Sequence, residues 1–114
     1  EMVRGCVGNM DWLISRVREQ APGARIVLMA PTGLSLGRIN KINREKNYNR
    51  MTQDSLELME KEYRELAARK GVEFLSLLNA VSPENFYDGL HPDQAGQQEI
   101  ADAVWRGLEA LVVE

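Results

Sequence analysis

Residues 26–30 read Ile-Val-Leu-Met-Ala, a continuous apolar run that ends at Pro31-Thr32-Gly33. Apolar runs without polar alternation are typical of strands in parallel sheets that helices cover on both faces. A second predicted strand, Glu73–Leu78, follows Lys70-Gly71-Val72, where a glycine and then an apolar residue indicate a helix end. These two strands decide the fold class, because the rest of the chain has helical or loop character.

Three amphipathic helices are predicted around the strands, at about Asn9–Gln20, at about Tyr48–Lys70 and from Asp93 onward. Asp93 is a favourable residue for a helix N-cap. The apolar faces consist of Met10, Leu13, Ile14 and Val17 in the first helix, Leu56, Met59, Tyr63 and Leu66 in the second, and Ile100, Val104, Leu108 and Leu111 in the third.

Strands that alternate with helices imply parallel pairing, because a crossover helix returns the chain to the same end of the sheet. The sequence therefore predicts an α/β fold. Such folds bind ligands beyond the carboxyl ends of their strands. Chemistry is expected after Ala30 and after Leu78, and the loop Asn79–Gly89 leads directly to the single histidine, His91.

The composition limits the class of protein. With 114 residues the chain forms one layered domain or part of one, and a net charge of -3 argues against nucleic-acid binding through bulk charge. One Cys and one His cannot supply the ligands of a zinc site, so we expect no metal and no cofactor. The apolar runs are too short to span a bilayer. The chain begins with Glu1 rather than a methionine, which leaves its compartment open.

The connection Gly33–Asn49 and the residue that follows it are rich in basic residues, with Glu45 as the only acid. The basic residues are Arg38, Lys41, Arg44, Lys46 and Arg50. One interpretation is that these residues bind an anionic ligand. The other is a solvated loop, and most runs of charged residues are of this second kind. We assign the connection no role from the sequence.

Asp88 precedes His91 by three residues in Tyr87-Asp88-Gly89-Leu90-His91-Pro92. Gly89 permits a tight turn in which the Asp88 carboxylate accepts a hydrogen bond from the imidazole nitrogen nearer the backbone. That bond fixes the tautomer and leaves the other nitrogen free as a base. The alternative is a surface histidine beside a helix N-cap, with Asp88 serving only the turn.

The stretch Tyr87–Gly96 and the amphipathic helix after it resemble the last conserved block of the SGNH or GDSL hydrolases, a family of serine esterases and lipases. The pattern is Asp-x-x-His-Pro, a short polar stretch, a glycine and a helix with an Ile-Ala pair, here Ile100-Ala101. The resemblance implies a flavodoxin-like, three-layer α/β/α domain with a parallel sheet. The order of elements in residues 1–114 is similar to the C-terminal half of that single domain.

By this resemblance His91 is the general base that activates a serine, and Asp88 orients it. The implied reaction is hydrolysis of a small-molecule, carbohydrate or lipid ester with a short acyl group. The family's Gly-Asp-Ser-Leu and Gly-x-Asn-Asp blocks are absent. Gly8-Asn9 matches the second block only superficially, and we interpret Asn9 as a helix N-terminus. The serine and the oxyanion donors are therefore expected in an upstream segment or a second chain that completes the sheet.

Two alternatives remain open. The chain is a non-catalytic interaction subunit, or a degenerate hydrolase, if no nucleophile accompanies it. It is a self-contained esterase if Ser35, in Gly33-Leu34-Ser35-Leu36-Gly37, is the nucleophile. That segment matches Gly-x-Ser-x-Gly, but Pro31-Thr32 separates it from the strand, whereas a nucleophile elbow turns directly from strand to helix. Glycines in a loop after a strand are the simpler explanation.

Overall fold

The computed structural model describes residues 1–112. Within that range three long helices and two strands follow one another in the predicted order. A fourth, short helix lies inside the basic connection. The elements are α1 (Met2–Gln20), β1 (Val27–Ala30), α2 (Lys41–Glu45), α3 (Arg50–Lys70), β2 (Glu73–Ser76) and α4 (Gln94–Val112). Single turns of 3₁₀ helix occur at Leu36–Arg38 and Pro83–Asn85.

The two strands pair in parallel, as the sequence predicts. Val27 lies opposite Glu73, and Ala30 lies opposite Ser76. The Leu77 amide donates a 3.1 Å hydrogen bond to the Ala30 carbonyl at the carboxyl end of the pair. Both strands therefore deliver their following loops to the same edge of the sheet.

The core lies between one face of the sheet and the helices α1 and α3. Ile14 of α1 and Tyr63 and Leu66 of α3 form a buried cluster with Leu28 and Ala30 of β1. Leu66 and Ala30 have no exposed surface. Burying an aliphatic side chain of this size contributes about 1.5–3 kcal/mol, so this cluster accounts for a large share of the hydrophobic stabilisation.

Helix α4 packs on the opposite face. A Cβ atom placed on Gly107 would lie 2.6 Å from Cδ1 of Leu75, so the helix backbone approaches the strand closely there. Side chains alternate along a strand, and Leu75 with its partner Met29 therefore points away from the core cluster. Helices thus lie on both sides of the parallel sheet, as in an α/β/α fold. The sheet has two strands within residues 1–112.

The burial of the second strand differs from the sequence prediction. The pattern predicts burial on both faces, but all four residues of β2 are only half-buried. The outer edges of β1 and β2 have no partner strand within residues 1–112. Trp12 on α1 and Trp105 on α4 are 62% and 64% exposed. The described part of the sheet is therefore incompletely covered. No helix within residues 1–112 has an apolar stretch long enough to cross a membrane.

Helix α1 begins seven residues earlier than predicted, at Met2, so Asn9 lies inside the helix and is not its N-terminus. Gly5 and Gly8 lie in the first part of the helix, where the low helix propensity of glycine works against helix formation. Tertiary packing overrides this effect, since Cys6 and Val7 pack against the core cluster.

The other helix ends follow their local sequence signals. Gly71 has a left-handed backbone at φ 66°, and the Val72 amide donates to the Ala67 carbonyl, which closes α3 as predicted. Helix α3 begins at Arg50 because Asn49 and Thr52 form a reciprocal capping box. The Asp93 carboxylate accepts a 2.8 Å hydrogen bond from the Gly96 amide, which confirms Asp93 as the N-cap of α4.

Gly96→Ala and Gly8→Ala are expected to change stability in opposite directions. A Cβ on Gly96 would lie 2.7 Å from both the Asn85 carbonyl oxygen and Cβ of Pro92, whereas a Cβ on Gly8 meets nothing within 4 Å. We expect Gly96→Ala to lower the free energy of unfolding by about 1–3 kcal/mol. Gly8→Ala, in a helix interior, should raise it by about 0.5–1 kcal/mol. Urea unfolding followed by circular dichroism measures both, and equal effects would contradict the packing described around Gly96.

Candidate active site

A tight turn carries Asp88 and His91 between the second strand and α4. The Tyr87 amide donates a 3.1 Å hydrogen bond to the His91 carbonyl, and Phe86 and Pro92 form an antiparallel bridge just outside it. Gly89 has φ 88°, in the left-handed region that favours glycine. A Cβ there would lie 2.5 Å from Cα of Ile39, so both the backbone angle and the packing require glycine.

The turn brings the predicted acid and base into direct contact. Nδ1 of His91 lies 2.7 Å from Oδ2 of Asp88. The other carboxylate oxygen, Oδ1, accepts hydrogen bonds from the amides of Leu90 at 2.9 Å and His91 at 2.8 Å. The carboxylate therefore has its position set by three donors, and neutral His91 donates through Nδ1.

The environment keeps Asp88 ionised. Partial burial acts to raise the pKa of Asp88, but hydrogen bonds from the His91 ring and from the His91 and Leu90 amides lower it, with a smaller contribution from the Asn43 side chain. The net pKa lies well below its ordinary value of 3.8. An ionised carboxylate on Nδ1 favours the tautomer with a free Nε2 and stabilises the imidazolium formed on protonation.

The imidazole ring faces solvent on its other side. The His91 side chain is 63% exposed, and the Asp88 side chain is only 13% exposed. Tyr87 stacks on the imidazole, with ring centroids 5.8 Å apart and planes 19° apart. Because the acid is enclosed and the base is open, a reacting group can approach Nε2 without displacing Asp88.

The basic connection donates hydrogen bonds to the backbone carbonyls of this turn. The Ser35 amide donates to the Gly89 carbonyl at 2.9 Å, and Nε of Arg38 donates to the Phe86 carbonyl at 2.8 Å. The Asn40 amide and Nδ2 of Asn43 both donate to the Asp88 carbonyl, at 3.3 and 3.1 Å. The sequence assigned Arg38, Asn40 and Asn43 no role, because nothing in their spacing indicates which backbone carbonyls they reach.

Asn43 joins several parts of this connection. Its side chain is buried and reaches Asp88, its amide donates to Oδ1 of Asn40 at 2.9 Å, and its carbonyl accepts from the Tyr48 amide at 3.1 Å. A buried amide with its donors used in this way fixes the backbone around it. Asn43 therefore links the acid of the pair to α2 and to the start of α3.

Helix α4 holds the loop on the opposite side through Glu99. Its carboxylate accepts hydrogen bonds from the Ser82 amide at 3.0 Å, from the Ser82 hydroxyl and from Nδ2 of Asn85 at 2.8 Å. These bonds, from the Asn85 side chain first and then from Ser82, lower the pKa of Glu99. No local sequence pattern indicates this contact, since Glu99 lies on the polar part of a helix.

Ser35 does not have the geometry of a nucleophile elbow. It is 5% exposed, with an extended backbone at φ -104° and ψ 91° that leads into a single 3₁₀ turn rather than a helix. Its backbone amide supports Gly89, and its hydroxyl is not presented at the surface. Within residues 1–112, no group of three His, Cys, Asp or Glu side chains is placed to hold a metal ion.

The comparisons agree with this fold. The model of the GDSL-like lipase/acylhydrolase family matches residues 2–99, a range that includes Asp88 and His91. Among solved structures, the esterase domain of the ZfL2-1 ORF1 protein, from a zebrafish retrotransposon, has a similar fold, with a TM-score of 0.74 at 19% identity. The match covers 96% of this chain and 61% of that domain, so this chain spans about three fifths of its length. A search of curated proteins finds no match.

The hydrogen bonds to Asp88 predict a pH-dependent contribution to stability. Because its pKa is lowered in the folded state, the unfolded chain takes up the proton first as pH falls. The stabilisation is therefore complete above the ordinary pKa of 3.8 and is lost as pH falls below it. We expect the difference in unfolding free energy between the wild type and Asp88→Asn to begin to shrink near about pH 4 and to go on shrinking as the pH falls towards the lowered pKa of the folded state.

Urea unfolding at a series of pH values measures this difference. Asp54→Asn, at an exposed carboxylate on α3, is a matched control that should follow the wild-type pH dependence. A difference between wild type and Asp88→Asn that stays constant or grows as pH falls would show that the carboxylate is not held as described.

Proposed function

The chain belongs to the GDSL-like lipase/acylhydrolase family, and we propose that it supplies the general base and the acid of a serine ester hydrolase. The observation that carries the proposal is the 2.7 Å contact between Nδ1 of His91 and the Asp88 carboxylate, with Nε2 on the open side of the ring. Membership of the family supports ester hydrolysis in general. The roles of Asp88 and His91 are our assignment.

In the proposed reaction, Nε2 of His91 removes the proton from a serine hydroxyl as its oxygen attacks the ester carbonyl carbon. The resulting imidazolium is stabilised by the Asp88 carboxylate. Collapse of the tetrahedral intermediate breaks the bond to the alcohol, and His91 returns the proton to the departing oxygen. A water molecule, activated in the same way by Nε2, then hydrolyses the acyl-enzyme and releases the acid.

The nucleophilic serine and the oxyanion donors are proposed to come from outside this chain. Ser35 is buried, and the chain spans about three fifths of the esterase domain that it matches in fold. The open edges of β1 and β2 are places where further strands can pair. We propose that residues 1–114 are the C-terminal half of a single hydrolase domain, completed by an upstream segment or a second chain.

The proposed substrate is a carboxylic ester with a short acyl group, carried by a small molecule, a carbohydrate or a lipid. The choice among these alcohols depends on loops around the serine. Fold alone does not determine it, because one fold supports many substrate classes.

Substitution of the proposed pair tests the function. The full-length gene product, assayed with 4-nitrophenyl acetate, should lose at least about 10³-fold in kcat on His91→Ala, because general-base activation of the serine is removed. Asp88→Asn should lower kcat by about 10³- to 10⁴-fold, because the imidazole then loses its orienting carboxylate. Ser35→Ala is the control, and it should keep the wild-type kcat if it remains folded.

A phosphonate probe that labels activated serines locates the nucleophile in the same preparation. We expect a label on a serine outside residues 1–114, and no label on His91→Ala. Full activity in His91→Ala would overturn the assignment of the base. Failure of the wild-type gene product to react with the probe would favour a non-catalytic interaction subunit. A label on Ser35 would contradict the location of the nucleophile.

A further inference from the structure

The connection between β1 and α3 has a strongly positive local charge. Residues 38–50 contain five Lys or Arg and a single acid, Glu45, while the other residues of the chain contain nine basic and sixteen acidic ones. Like charges clustered in one segment repel one another, and a bound anion would offset part of that repulsion. Two of these basic residues line a depression on the connection.

A surface depression of about 250 Å³ lies on this connection. The residues around it combine two aliphatic side chains with two arginines, a tyrosine and an asparagine. The lining residues are Leu36, Ile39, Arg44, Tyr48, Asn49 and Arg50. A small hollow with apolar and convergent polar groups has the character of a ligand subsite.

Local backbone geometry brings the two arginines to this depression. Asn47 has a left-handed backbone at φ 68°, a conformation that asparagine tolerates better than most residues. It lies between α2, which carries Arg44, and α3, which begins at Arg50. The Tyr48 amide then closes the turn on the Asn43 carbonyl at 3.1 Å.

Neither arginine is neutralised by the protein within residues 1–112. The ion pairs found there engage other basic residues, among them Lys41 with Glu45, while no carboxylate lies within 4.0 Å of the Arg44 or Arg50 guanidinium. Two cations that line one depression repel each other, and an anion between them removes that repulsion. Arginine also binds carboxylate and phosphate oxygens in a planar, bidentate manner.

The depression adjoins the turn that carries the acid and the base. Ile39 lines it and is also the residue that packs against Gly89, two positions before His91. Asn43, the immediate neighbour of Arg44, donates to the Asp88 carbonyl. The depression and the turn that carries Asp88 and His91 therefore share Ile39 as a common wall.

We propose that Arg44 and Arg50 bind an anionic group, a carboxylate or a phosphate, of the ester that His91 acts on. This inference rests on the proposed function and narrows its substrate to anionic esters. The guanidinium groups engage the charge, and Ile39 and Tyr48 contact the adjoining apolar part of the substrate. Binding at a distance from the reacting carbonyl lowers KM and leaves the chemical step nearly unchanged.

Two matched pairs of esters test the proposal with the full-length gene product. In 4-acetoxybenzoate and methyl 4-acetoxybenzoate the charge differs on the alcohol side, and in 4-nitrophenyl hemisuccinate and 4-nitrophenyl butyrate it differs on the acyl side. We expect Arg44→Gln and Arg50→Gln each to raise KM about fivefold for the anionic member of at least one pair, through loss of a charge-assisted hydrogen bond. The neutral members should keep their KM, and kcat should be unchanged throughout.

Lys46→Gln is the matched control. It removes the same charge from the same connection, at an exposed residue that does not line the depression. If Lys46→Gln raises KM as much as the arginine substitutions do, the effect is bulk electrostatics and the proposal is wrong. It is also wrong if the arginine variants keep the wild-type preference between charged and neutral esters in both pairs.

A binding measurement separates this inference from the proposed function. In an NMR titration with 4-hydroxybenzoate, the amides of residues 48–50 should shift in the wild type and not in an Arg44→Gln/Arg50→Gln double variant. If the amides shift but the protein hydrolyses no ester, the proposed function is wrong and the proposal of an anion site is supported. If the protein hydrolyses neutral esters but shows neither the shifts nor a charge preference, the anion site is wrong and the proposed function is supported.

Discussion

The Asp88 carboxylate accepts hydrogen bonds from the His91 ring and from two backbone amides, and the rest of the site depends on this arrangement. Gly89 lets the turn adopt a left-handed backbone packed against Ile39, where a Cβ atom would clash. Asn40 and Asn43 restrain the same turn by donating to the Asp88 carbonyl. The position of the acid is therefore set by the connection between the two strands as much as by the turn itself.

The parallel sheet explains why these two segments meet. Because β1 and β2 run in the same direction, the connection after Ala30 and the loop after Ser76 leave the sheet at the same edge. The Gly33 amide donates to the Leu78 carbonyl at 3.0 Å, the first contact between the two segments beyond the strands. From there the connection continues to Gly89 and Asp88, so the fold itself delivers the supporting backbone to the site.

The sequence predicts those features that depend on local or periodic signals. The apolar run at 26–30, the glycine at Gly71 and the cap at Asp93 each have one physical explanation, and each is confirmed. The predicted start of α1, at about Asn9, was wrong. The helix begins at Met2, because packing of Cys6 and Val7 against the core outweighs the low helix propensity of Gly5 and Gly8.

Long-range contacts explain the rest of the difference. Asn43 reaches a carbonyl 45 residues away, and no spacing rule within the connection indicates that partner. The same holds for Glu99, which binds Ser82 and Asn85 from the helix after the turn. The incomplete burial of β2 has a different origin, since the strand pattern reflects a whole sheet and residues 1–112 contain two of its strands.

The tautomer of His91 shows whether Asp88 holds the ring through Nδ1 and leaves Nε2 free as a base. The chain has a single histidine, so its ring nitrogen signals in a long-range ¹⁵N–¹H NMR spectrum are free of overlap with other histidines. We expect neutral His91 to carry its proton on Nδ1, bonded to Asp88, with Nε2 unprotonated, and we expect Asp88→Asn to remove this preference. If the neutral ring of the wild type is instead protonated on Nε2, no base faces the open side of the site and the roles assigned to Asp88 and His91 are wrong.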